Sequence, residues 1–365
     1  MATSPTATTW RRQRIVVGAD GSAEAREALR WTARLAGPWH AEVVVVHAVG
    51  LLEALDGRLV AAHHEQARIE RVVADQWCTP LRGTGCSHRV VVRDGVPADV
   101  LRQVAVAEAA DLVVVGSRGI GATPGLALGS TSLHLLQLAP CPVLVVTAPR
   151  DATRDITMRE IVLAVDSATP TTRAADLISD LAALDDVRVT IVHAVEEVPV
   201  FPLGPETTIS SQGETDAPER DRARLTPLTR RLDQHGIRSE LRVERGPAPD
   251  VVVATATALD ADLVVVGSAH PSHSPDPLYD STSRQIVARI GRPTLVVPET
   301  WTRAPPPAPT PRKKPTMRSN DVAAEALQAS PTSAPAGSDS TTSSAPGPAT
   351  ASAASSRRAD ERRHR

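Results

Sequence analysis

The sequence predicts the α/β class: two tandem domains, each a five-stranded parallel sheet with helices on both faces, followed by a disordered tail. Three observations carry this. Asp111-Leu-Val-Val-Val-Gly116-Ser117 returns as Asp262-Leu-Val-Val-Val-Gly267-Ser268, and a repeat that spans an apolar run and its closing glycine marks a duplication. Runs of four to six branched apolar residues closed by turn formers recur along both copies, the pattern of strands buried on both faces. Helix-period segments separate those runs, and such alternation demands parallel strands joined by right-handed crossovers.

Taken in order, the first strand is Arg14-Ile-Val-Val-Gly-Ala-Asp20-Gly-Ser22, echoed by Glu160-Ile-Val-Leu-Ala-Val-Asp166-Ser167. Ala25, Ala28, Leu29, Thr32 and Leu35 then recur at helical spacing, so a helix covers Ala23 to Leu35. The second strand runs from Glu42 to Val49 and holds His47; its echo, Val189 to Val195, holds His193. The copies slip by five residues across Pro199 to Pro218, which places an insertion in a surface loop or a poorly ordered helix start. A third strand, His88 to Val92, leads to Gly95-Val-Pro-Ala-Asp99, matched by Gly246-Pro-Ala-Pro-Asp250. Asp99 and Asp250 suit helix N-caps, with proline in the first turn. The repeated Leu-Val-Val-Val is the fourth strand, and Pro142 to Val146, echoed by Pro293 to Val297, is the fifth. The closing strands are apolar edges that invite association. The halves are therefore expected to dock through Val143 to Val146 and Thr294 to Val297 as an internal pseudo-dimer, with a homodimer as a further expectation. The expected boundaries are 1–12 disordered, 13–148 the first domain, 149–158 a linker, 159–299 the second domain and 300–365 the tail.

Composition bounds the rest. A chain of 365 residues can bury two cores, whereas the stretch after Trp301 is mostly Ala, Ser, Thr and Pro and cannot offset the entropy of ordering. That tail carries ten basic and five acidic residues. Its clusters, Arg312-Lys313-Lys314, Arg357-Arg358 and Arg362-Arg363, could touch nucleic acid or anionic lipid, but a solvated tail is the better reading, and no specific nucleic-acid partner is expected. Three cysteines at unrelated spacings, Cys78, Cys86 and Cys141, fit ordinary thiols in a reducing compartment. No apolar run approaches the roughly 20 residues of a membrane span, so no membrane association and a cytoplasmic location are expected. His63-His64 and the pair His270 and His273 lack the carboxylates or cysteines that would complete a metal site.

The chemistry sits in the first copy. Phosphates need converging backbone N–H groups, and Gly116, Gly119, Gly121, Gly125 and Gly129 supply a side-chain-free loop between a strand and a helix, through positive φ and close approach. The helix from Ser130 to about Leu138 aims its N-terminal amides at the same anion, with the Ser130 and Thr131 hydroxyls as added donors. Asp20 either accepts ribose hydroxyls or caps the following helix; the pattern leaves both open. Arg118 either meets phosphate or is a solvated loop arginine. His47 and His193 suit packed strand-end histidines better than catalytic ones. In the second copy His270 and Asp280 stand where Gly119 and Gly129 stand in the first. All lysine is in the tail, at Lys313 and Lys314, so the body has no phosphate-loop lysine. Rapid phosphoryl transfer leans on such a cation together with metal-holding acids, which makes the site one that holds a nucleotide rather than spends it.

Asp20 at a strand end, the spacing Gly116, two residues, Gly119, nine residues, Gly129-Ser130, and the closing Ala139-Pro-Cys-Pro-Val-Leu-Val-Val146 resemble the universal stress protein family in its tandem form, over about residues 10 to 298. The resemblance implies a Rossmann-like, adenine nucleotide alpha hydrolase-like fold that binds ATP, with or without Mg, and pairs through its last strand. It implies adenine and ribose against Gly18, Ala19, Asp20 and Val49, and phosphates against Val115, Gly116, Arg118, Gly119, Gly129, Ser130 and Thr131. His270 and Asp280 depart from the pattern and would crowd and repel a triphosphate, so no ligand is carried to the second half. The expected role is a non-catalytic or slowly hydrolysing stress-response protein that signals to a protein partner. A nucleotide-free scaffold and a slow ATPase are the alternatives.

Overall fold

Ile15, Val16 and Val17 are fully shielded from solvent, which is why Arg14–Gly18 (β1) forms the middle of a sheet rather than an edge. In this computed structural model the described residues are 13–50, 52–55, 58–121, 126–148, 155–166, 172–182, 184–196, 217–268, 282–299 and 301–302. The first half continues with Ala23–Ala36 (α1), Glu42–Val49 (β2), Leu52–Leu55 (β3), Arg58–Ala61 (β4) and Ala62–Val72 (α2). Next come Ser87–Asp94 (β5), Pro97–Ala107 (α3), Leu112–Gly116 (β6), Ser130–Leu138 (α4) and Val143–Val146 (β7). The second half holds Glu160–Ala164 (β8), Thr172–Ala182 (α5), Arg188–Val195 (β9), Ala217–Gln234 (α6), Arg238–Arg245 (β10), Ala248–Ala258 (α7), Leu263–Ser268 (β11), Thr282–Ile290 (α8) and Thr294–Pro298 (β12).

Ten of these strands form one sheet in the order β10-β9-β8-β11-β12-β7-β6-β1-β2-β5. Within each half every pairing of this ten-stranded sheet is parallel, as the alternating pattern predicts. The halves meet where β12 and β7 pair antiparallel, with Thr294 opposite Val145, Leu295 opposite Leu144 and Val296 opposite Val143. Each apolar closing strand thus covers the other's edge, and the core runs unbroken across the seam. Further ties cross it: Arg34 ion-pairs with Asp185 at 2.9 Å, and the Trp39 indole N–H reaches the Asp180 carbonyl at 3.4 Å. The two outer strands are studded with charge, Arg89, Arg93 and Asp94 on β5 and Arg238, Glu240, Arg242 and Glu244 on β10, which discourages further strand addition.

The repeated aspartate has a structural role at the end of the sheet opposite the strand tips. Asp111 accepts the Arg14 N–H at 2.9 Å, and Asp262 accepts those of Arg159 and Glu160 at 2.8 and 3.1 Å, so each ties the start of one strand to its neighbour.

Two expectations need correction, and one element was unforeseen. The β3–β4 hairpin lies between β2 and α2, a stretch to which the sequence pattern assigned no element; its two strands are four residues each, too short to carry a period. Asp99 and Asp250 are not N-caps: Val96 and Pro247 take those positions, and the aspartates fall in the first turn, where a carboxylate faces the positive helix end. Trp301, placed in the tail by composition, is 9 % exposed and joins the core. Residues 1–12, the insertion from Pro199 to Asp216, and the tail from 303 onward lie outside the described residues.

Among the described residues no helix is long and apolar enough to cross a membrane. The three cysteines are free thiols. Burial pushes the Cys78 thiol up to about 11 against the pull of Arg82, and pushes Cys141 to about 12 with help from the Asp111 carboxylate.

Candidate nucleotide site

β1 has β2 on one side and β6 on the other. The chain leaves these strands in opposite directions, so a crevice opens at their carboxyl ends. Asp20 sits at its rim. One carboxylate oxygen, Oδ1, accepts the Ser22 N–H at 2.9 Å, and Oδ2 accepts the Ile120 N–H at 3.0 Å. Capping of α1 belongs to Ser22, whose hydroxyl accepts the Ala25 N–H at 3.1 Å. Of the two roles open to Asp20, helix capping is therefore taken by its neighbour, and Asp20 ties the start of α1 to the glycine loop.

That loop is closed at its base. Ser117 donates its N–H to the Val146 carbonyl at 2.6 Å, and its own carbonyl accepts the Gly129 N–H at 2.8 Å and the Ser132 hydroxyl at 2.9 Å. Beyond the clamp, α4 begins with Gly129 as a cap that offers no side-chain hydrogen bond. The Ser130 and Thr131 amides have no partner among the described residues, as the first turn of a helix leaves them unless something caps it. They carry the positive end of the helix dipole. Gly125 lies outside the described residues.

Glycine is needed here for a different reason from the one expected. None of Gly116, Gly119, Gly121 and Gly129 has positive φ. At Gly116 a Cβ would come within 2.7 Å of the Glu24 Cβ and 2.9 Å of its carbonyl carbon, so this glycine lets the first turn of α1 lie on β6. A Cβ at Gly119 would strike the Asp20 carboxylate. At Gly18 the neighbours are Leu101 and Val115, at 3.2 and 3.3 Å, and the requirement comes from α3 packing. Gly121 and Gly129 are the exceptions: a Cβ at Gly121 would meet nothing within 4 Å, and one at Gly129 would make only ordinary contacts, 3.5 Å to Arg118 and to Ser117.

The other expected residues fall around this loop. Ala19 is buried, with its N–H on the Val46 carbonyl at 2.9 Å and its carbonyl taking the His47 Nδ1–H at 2.8 Å, so both backbone groups are engaged. Val49 and Val115 are buried at their strand ends. Arg118 pairs with Glu24 at 2.9 Å, so its charge is already partnered at the mouth of the crevice. His47 has the expected packed role, and His193 repeats it on the Val165 carbonyl at 3.0 Å.

Trp77, unmarked by any sequence pattern, closes the site's flank. α2 runs on through a π turn, Val73–Trp77, and the indole meets the His47 ring edge-on with centroids 5.0 Å apart. Its ring also fills the space beside Gly21, whose φ of +83° and a Cβ only 2.9 Å from Trp77 both demand glycine. Gly21→Ala is expected to cost about 1–3 kcal/mol, measured as a lower urea midpoint at unchanged slope; a midpoint equal to the parent's would contradict this packing. Glu24, Ser117 and Ser132 were likewise unmarked as site residues, although the Ser-Thr-Ser start of α4 was a signal available in the sequence.

In the second half the strand ends repeat the first: Val165 donates its N–H to Val192 at 2.9 Å, and Gly246 to Val195 at 3.1 Å. Gly267, the counterpart of Gly116, has nothing within 4 Å of its would-be Cβ among the described residues. His270 and Asp280 lie outside them. Among the described residues no three His, Cys, Asp or Glu side chains gather as a metal would need.

A family model described as the universal stress protein family matches residues 11–147 and again 157–298. A universal stress protein of Mycolicibacterium smegmatis is 29 % identical over 301 residues, covering 78 % of this chain and 96 % of that protein. One from Thermus aquaticus is 36 % identical over 138 residues, covering 36 % of this chain and 96 % of its own length. Among solved structures, a universal stress protein from Archaeoglobus fulgidus superposes with a TM-score of 0.59 at 17 % identity, covering 78 % of this chain and 98 % of that one. A further one from Pseudomonas aeruginosa gives 0.55 at 20 % identity, covering 79 % and 93 %.

Proposed function

Because the chain belongs to the universal stress protein family, we propose that its N-terminal domain, 13–148, binds ATP and serves as a stress-response protein of the cytoplasm that holds the nucleotide and hydrolyses it slowly or not at all. The observation that supports this most is the start of α4, where Gly129 caps without a side chain and no described residue hydrogen-bonds the Ser130 and Thr131 amides. In this reading the phosphates lie on those amides, on both hydroxyls and along Gly116 and Gly119. Asp20 keeps lone pairs beyond its two backbone bonds and takes the ribose hydroxyls. Gly18, Ala19, Val49 and Val115 offer the base and sugar apolar contact, and Arg118 exchanges Glu24 for a phosphate oxygen. The described residues gather no set of side chains for Mg, so any Mg that accompanies ATP would come bound to the nucleotide.

Slow or absent turnover follows from what the described site offers: hydroxyls and amides that bind charge, with neither a lysine nor a cluster of acids to hold a metal against the leaving group. The second domain, 159–299, keeps the frame and pairs with the first through β12. Titration calorimetry of ATP, ADP and cyclic AMP tests the reading. One ATP per chain is expected, with phosphate release at background. Two per chain would assign binding to the second half as well, and none would overturn the proposal.

A further inference from the structure

Away from the glycine loop, α1 carries Arg26, Arg30 and Arg34 at four-residue spacing, one stripe along the helix. All three line a single concavity of about 560 Å³, shared with Ala33, with Pro80 from the turn after Trp77, and with Ile156 from the start of the second half. Their charges are unevenly matched. Arg30 pairs with Glu27 at 2.8 Å and Arg34 with Asp185 at 2.9 Å, whereas Arg26 is exposed and has no partner among the described residues. Both bonds made by Arg34, to Asp185 and to the Leu184 carbonyl, leave from Nη2, so its other edge keeps its donors. Two turns of helix set the ends of the stripe about 12 Å apart, a span that long guanidinium arms close on a pair of linked phosphoryl groups.

We propose that this concavity is a second anion site, independent of the glycine loop, that binds a small organic pyrophosphate or bisphosphate. Arg26 and Arg34 grip the phosphoryl groups, Arg30 adds field, and Ala33, Pro80 and Ile156 receive the apolar part of the ligand. Asp185, the partner of Arg34, also accepts the Met158 N–H at 3.2 Å, so an anion bound here bears on the contact between the two halves.

Inorganic pyrophosphate, titrated at low salt into the full-length Gly129→Asp protein, tests this with the glycine loop disabled. One site per chain is expected, weakened about tenfold or more by Arg26→Glu and kept within about threefold by Arg26→Lys. Arg26→Ser, which removes the charge without reversing it, is expected to fall between them. Arg26 is exposed and has no partner among the described residues, so all three variants should melt with their parent. No measurable heat from the Gly129→Asp protein, or equal affinity in Arg26→Glu, would overturn the proposal.

Discussion

Gly129→Asp is expected to weaken ATP binding by at least about 100-fold, or roughly 2.7 kcal/mol, while the protein stays as stable as before or gains slightly. The two effects separate because of where the residue sits. Gly129 has φ −77° and ψ 161°, a conformation any residue adopts, and its new Cβ would meet Arg118 and Ser117 at an ordinary 3.5 Å. As the cap of α4 an aspartate satisfies a first-turn amide, worth a few tenths of a kcal/mol over glycine. The same carboxylate occupies the place meant for a polyphosphate. Two like charges about 4 Å apart near a protein surface repel by about 4 kcal/mol, which exceeds the loss required. Calorimetry and thermal melting on one preparation check both halves of the statement. Retained affinity would remove the α4 start from the site, and a large drop in melting temperature would show that Gly129 serves the fold.

Val145→Asp is expected to cost about 3–5 kcal/mol of stability. Val145 is 1 % exposed and stands opposite Thr294, which is 0 % exposed, in the antiparallel seam between β7 and β12. The residues paired in the seam, Val143 to Val145 with Thr294 to Val296, carry no charge, and an unpaired buried charge must either find water or take up a proton. Since domains of this size hold only about 5–15 kcal/mol in total, the variant should unfold at much lower urea and elute as a larger particle. Val145→Ala separates charge from lost volume: the alanine should cost about 1–3 kcal/mol and keep the parent's size. If the two variants behave alike, the seam is not what joins the halves.

The strands were legible because burial on both faces writes itself into composition. A run such as Val43 to Val46, no more than 2 % exposed at any position, admits one secondary structure and one neighbourhood. The glycine loop was legible as a loop, yet its glycines were credited with left-handed backbone when Gly116 answers to Glu24 and Gly119 to Asp20. Helix caps misled in the same way. Asp99 and Asp250 have the right chemistry, but Val96 and Pro247 hold the positions, and of the two roles left open to Asp20 the cap falls to Ser22, because a cap is set by where the backbone turns into the helix.

Local pattern was enough for the duplication, the parallel α/β class, the apolar closing strands and the candidacy of the loop after β6, since each rests on residues near one another in the chain. The clamp of Asp20 on Ile120, the closure of Ser117 over Ser132, the wedge of Trp77 against Gly21 and the gathering of α1 arginines over Ile156 came only with the folded chain. Those contacts join residues that periodicity cannot relate, through distances and free hydrogen-bonding groups that exist once the sheet has brought its strand ends together.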